Sequence, residues 1–66
     1  MNELYDLVQR VNAEVDRRGL DAFRVRGEIA LKVGYLISLV DEQTPSEPDK
    51  VEQLRLVAKE VLGVDL

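Results

Sequence analysis

The run FRVRGEIALKVGYLISLV, residues 23–40, constrains the fold of this chain more than any other feature, because it carries two incompatible periods at once. Every odd position from Phe23 to Leu39 is apolar or glycine, which is the alternation of a half-buried strand. Arg24, Glu28 and Lys32 stand four apart, as ion pairs stand along a helix. Read as strands, 22–26 and 29–33 flank Gly27 and Glu28 as a two-residue hairpin turn, and the chain becomes α-β-β-α. Against that reading, Ala30, Leu36 and Val40 occupy the face that should be polar, and Gly34 interrupts a strand without any turn partner.

Read as one helix over 21–40, the same residues leave a narrow polar stripe of Arg24, Glu28 and Lys32 on an otherwise apolar cylinder. Gly27, Ala30, Gly34 and Ser38 then share one side, and Val25, Ile29, Val33, Leu36 and Val40 another. The helical reading is preferred, with the hairpin as the alternative. Each interior glycine costs about 1 kcal/mol relative to alanine in a helix, so a close neighbour against the small side is the natural compensation.

The flanking segments are clearer. Leu4, Leu7, Val8, Val11 and Val15 repeat at three and four residues, which predicts a helix over 3–18 capped by Asn2. Glu3 and Asp6 at its start, Arg17 and Arg18 at its end, and Gly19 just beyond suit the macrodipole and a left-handed stop. Val51, Leu54, Val57, Ala58, Val61 and Leu62 predict a third helix over 48–62, ended by Gly63. The run DEQTPSEPDK precedes it, with Pro48 suited to the first turn and Ser46–Asp49 or Thr44–Glu47 as candidate capping pairs. The expected fold is therefore all-α: one small domain, 1–66, built as a three-helix bundle.

A helix of 20 residues would be about 30 Å long, and two amphipathic neighbours cannot cover an almost wholly apolar cylinder of that length. A chain of 66 residues is marginal in core size, and it has neither cysteine nor histidine for disulfide or zinc staples. Oligomerisation is the staple that remains. The expectation is a homodimer whose contact uses Gly27, Ala30, Gly34 and Ser38, with Ile37 beside them, and the functional expectation is a non-enzymatic protein-interaction or oligomerisation module.

Other chemistries find little in the residues. Without histidine or cysteine the commonest general base and the most reactive nucleophile are missing, and neither Ser38 nor Ser46 lies in a nucleophile-elbow context. The segment 41–52 has acids at its ends like a calcium loop, but Gln43 and Pro45 stand at ligand positions and Ser46 where glycine is needed. No metal or cofactor is expected. Net charge is −4, yet Arg17, Arg18, Arg24 and Arg26 form one basic cluster with Asp21 as the only acid between them. They are candidate anion-binding residues, and a small nucleic-acid-binding regulator is the alternative function. A small-molecule-binding module ranks third. The opening residues, MNELYD, lead into no signal-like apolar run, and the longest uncharged run is the eight residues 33–40. A cytoplasmic protein without a membrane span is expected.

Overall fold

Three helices carry the chain: α1 (Glu3–Arg17), α2 (Ala22–Val33) and α3 (Pro48–Leu62), with one 3-10 turn, Ile37–Leu39, between α2 and α3. The computed structural model describes residues 2–66, and no strand occurs among them. The hairpin alternative is thus unsupported, and helix wins in the first half of the disputed run. The Cα radius of gyration is 10.7 Å, against about 11 Å for a folded domain of this length.

The ends of α1 form as their residues dictate. Asn2 has extended backbone and its Oδ1 accepts from the Tyr5 N–H at 3.0 Å. At the far end the Gly19 N–H donates to the Asp16 carbonyl and the Leu20 N–H to the Val15 carbonyl, each at 3.1 Å, with Gly19 at φ 65°. That pair of bonds is a Schellman stop, and the left-handed glycine is what permits it. Asp21 then caps α2 by accepting from the Arg24 N–H at 3.2 Å.

The middle helix is shorter than the apolar pattern suggests. It spans 12 residues, Ala22–Val33, and Gly34 ends it at φ 86° with its N–H on the Ala30 carbonyl. The expected helix over 21–40 is therefore corrected to a helix, a left-handed cap and a 3-10 turn. Ile29, Val33 and Ile37 are spaced by four and all buried, so a continued helix and a broken one satisfy the core with the same residues. Leu36, extended at φ −83° and ψ 115°, makes the break possible.

The core runs between all three helices. It comprises Leu4, Leu7, Val8, Val11 and Val15 of α1, Ile29 and Val33 of α2, Ile37 of the turn, and Val51, Leu54, Val57, Ala58 and Leu62 of α3. No polar side chain is buried with them among the described residues. α1 and α3 each give five residues to this core and α2 only two, with Ala22 and Val25 half-buried against it, so the opposite face of α2 is left exposed.

The loop between the 3-10 turn and α3 is fastened to the start of α1. Asn2 Nδ2 donates to the carbonyls of Thr44 at 2.6 Å and Glu42 at 3.3 Å, and Ser46 Oγ accepts from the Leu4 N–H at 3.1 Å. The expected capping pairs at α3 are not formed: Glu47 is its N-cap without a side-chain bond, and Ser46 serves α1 instead. Thr44 folds back on Asp41, its Oγ1 accepting from the Asp41 N–H at 3.0 Å. Pro48 does occupy the first turn of α3, and Gly63 ends that helix at φ 75°.

Candidate self-association surface

The outward face of α2 is apolar and uncovered. Phe23 is 91% exposed and Leu31 89% exposed; Leu36 and Leu39, which follow the helix, are 55% and 72% exposed. Phe23, Gly27, Ala30, Leu31 and Gly34 lie within an arc of about 100° on one helix face. Gly27, Ala30, Leu31 and Gly34 enclose an open hollow completed by Tyr35 and Leu36. A second hollow adjoins it, bounded by Phe23, Arg26, Gly27, Leu36, Ile37 and Ser38. Leu36 borders both, and also a third beside Leu39, so the patch is continuous.

Four of the five residues expected at the contact border these hollows from outside the core. Gly27 and Gly34 are exposed, Ala30 is half-buried, and Ser38 is exposed on the 3-10 turn rather than on the helix. Ile37 is 1% exposed and belongs to the core, where it floors the second hollow. A Cβ added at Gly27 or Gly34 meets nothing within 4 Å. No neighbour inside the chain therefore explains the small residues. The two glycines also differ: Gly34 needs its left-handed backbone, so any side chain there is strained, whereas Gly27 lies within α2 without a positive φ. Phe23 and Leu31 were not among the expected contact residues; their place on the Gly27–Gly34 side at helical spacing was the signal that could have found them.

The arginine cluster is largely occupied inside the chain. Arg17 forms a two-pronged pair with Glu14, one prong at 3.2 Å, and Arg18 Nε reaches the same carboxylate at 3.0 Å. The Arg17 hydrogen bond holds the Glu14 carboxyl below its usual range, and Glu14 in turn raises Arg17 further. Arg18 Nη1 also donates to the Leu62 carbonyl at 2.6 Å, tying the end of α1 to the end of α3. Arg26 Nε donates to Asn12 Oδ1 at 3.0 Å. Only Arg24 of the four has a side chain without a hydrogen bond or ion pair among the described residues, and Glu28 on the same helix is likewise unpaired. The expected Arg24–Glu28–Lys32 ladder is absent, since Lys32 instead reaches Glu60 of α3 at 2.8 Å, and that contact raises its pKa.

Tyr35 stands at the edge of the apolar patch with its hydroxyl buried and without a hydrogen-bond partner among the described residues. Burial raises its pKa. The Lys50 ammonium lies 5.6 Å from the ring centroid, within cation–π range. Among the described residues no group of three or more carboxylate, histidine or cysteine side chains is placed to hold a metal ion, and no helix is long and apolar enough to cross a membrane. No protein-family model matches the chain, and neither a curated protein nor a solved structure shows significant similarity to it.

Proposed function

We propose that this chain is a cytoplasmic, non-enzymatic interaction module that self-associates as a homodimer through the outward face of α2. The observation that carries the reading is the exposure of Phe23, Leu31, Leu36 and Leu39 on one continuous surface. At about 150–200 Å² for a fully exposed large apolar residue, these four side chains present roughly 450–600 Å², the size at which patches on small proteins usually have a function. A two-fold contact buries the patch twice, roughly 900–1,200 Å² before the glycines, Ala30 and Tyr35 are included, which reaches the lower end of specific interfaces. Interfaces at this end of the size range are typical of weak or transient association.

The arginines support nucleic-acid binding less well than the exposed apolar residues support association. Arg17, Arg18 and Arg26 are held by Glu14, the Leu62 carbonyl and Asn12, and the chain carries a net charge of −4. A phosphate-binding stripe requires Lys and Arg side chains clustered on one face of a basic surface.

The test is a pair of substitutions in the patch. Phe23→Ala with Leu31→Ala removes two nearly fully exposed side chains and leaves the core untouched, so the helical circular dichroism spectrum is retained while sedimentation equilibrium shows association weakened at least tenfold, as for any pair of interface anchors. Unchanged association in that variant would defeat the proposal.

A further inference from the structure

We infer that the two copies meet antiparallel, with the two-fold axis passing at Gly27 and Phe23 of each copy seated in the Gly27–Ala30–Leu31–Gly34 hollow of the other. The inference rests on the self-association proposed above and specifies its geometry. Those four positions are i, i+3, i+4 and i+7, the four corners of a hole into which a facing helix inserts a single side chain. Three of the corners are glycine or alanine, so no bulky side chain stands in the way of a knob entering the hole. Phe23, the most exposed of the large apolar residues, is the knob on the same face.

The spacing of knob and hole selects the direction. The hole is centred between Ala30 and Leu31, about 11 Å further along the helix than Phe23 at 1.5 Å per residue. Parallel helices on a two-fold axis place equal residues at equal height, so Phe23 meets Phe23 and hole meets hole. Antiparallel helices place Phe23 opposite the hole twice over when the axis lies midway, and midway is Gly27. A helix-interior glycine with nothing within 4 Å of an added Cβ is unexplained inside the chain; at the axis its missing side chain lets the two backbones approach.

The charges permit the same direction. In an antiparallel pair, equivalent flanks of the two helices lie side by side, and about an axis at Gly27 Arg24 of one copy falls two residues in level, about 3 Å, from Glu28 of the other, as the two Glu28 residues do from each other. Arg24 and Glu28 are the two charged residues of α2 whose side chains lack a hydrogen bond or ion pair among the described residues. A parallel pair sets this flank against the Arg26 flank instead, where Arg26 stands two residues in level from Arg24 and from Glu28 alike. At the rim such pairs add little affinity but discriminate between arrangements.

The chain has no cysteine, so single-cysteine variants report the geometry directly. A disulfide needs Cα atoms within about 7 Å. Gly27→Cys sits on the proposed axis, while two Ala30→Cys residues lie about 10 Å apart along an antiparallel pair and face one another in a parallel one. At a protein concentration where sedimentation shows each variant to be dimeric before oxidation, Gly27→Cys is expected to cross-link with itself at least about tenfold faster than Ala30→Cys. In the cysteine-free chain, Arg24→Glu is expected to weaken the dimer and Arg24→Glu with Glu28→Arg to restore it. A dimer in which Ala30→Cys links as fast as Gly27→Cys, or in which neither links, overturns the antiparallel geometry while leaving self-association standing. A chain that is monomeric throughout overturns both.

Discussion

Replacing Gly27 by alanine separates a role inside the chain from a role between copies, because the two have opposite signs. Gly27 lies well within α2, its backbone is not left-handed, and an added Cβ meets nothing within 4 Å. In an isolated chain the substitution removes the conformational freedom of glycine from the unfolded state and adds a better helix former, together about 1 kcal/mol of stabilisation. For a domain of this size that corresponds to a rise in Tm of roughly 4–8 °C. Between copies crossing at Gly27, two methyl groups enter the point of closest approach, and overpacking of that kind costs about 1–3 kcal/mol, or roughly 5- to 150-fold in Kd. Thermal unfolding followed by circular dichroism at low micromolar concentration measures the first effect, and sedimentation equilibrium the second. A Gly27→Ala chain with higher Tm and unchanged association would refute the placement of Gly27 at the contact; a lower Tm in the monomer would refute the account of its environment.

Other expected outcomes follow from contacts within the chain. Ser46→Ala removes the acceptor for the Leu4 N–H at the start of α1 and should lower stability by about 1 kcal/mol in a denaturant titration, as loss of a helix cap does. Tyr35→Phe deletes a buried hydroxyl without a hydrogen-bond partner among the described residues and should raise stability by about 1 kcal/mol. Because burial raises the Tyr35 pKa, the associated stability is present below the unfolded-state value near 10 and is lost as pH rises through the folded one; alkaline unfolding should therefore shift to higher pH in Tyr35→Phe. The lowered pKa of Glu14, caused first by its hydrogen bond to Arg17, gives stability present above the unfolded-state value near 4.5 and lost as pH falls through the folded one. Glu14→Gln should flatten that part of the acid titration.

The terminal helices were legible because their signals are local. The apolar spacing of Leu4, Leu7, Val8, Val11 and Val15, the cap at Asn2 and the stop at Gly19 each act within a few residues, and all three recur in the structure. The end of α2 was not legible for an equally physical reason. Ile29, Val33 and Ile37 reach the core whether or not the helix continues past Gly34, so the pattern of burial does not encode the break. Ser46 shows the other limit: its partner is the Leu4 N–H, 42 residues away, and no local capping pattern reports such a bond. On the surface, the excess of apolar residues on the middle segment already implied an uncovered face, and its small positions were visible as a stripe. Phe23 and Leu31 flank that stripe at helical spacing wherever the helix stops, but helical spacing does not report which side of an almost wholly apolar segment the other helices leave uncovered.

The central claim is that the uncovered face of α2 is where this chain meets its own copy. Sedimentation equilibrium of the unmodified protein from about 1 μM to several hundred μM tests it most directly, in the range where an interface of this size associates. The account requires the weight-average mass to rise from the 7.5 kDa of one chain to twice that value and level off there, as a closed two-fold contact does. A mass that stays at one chain throughout, or climbs past two without levelling, contradicts it.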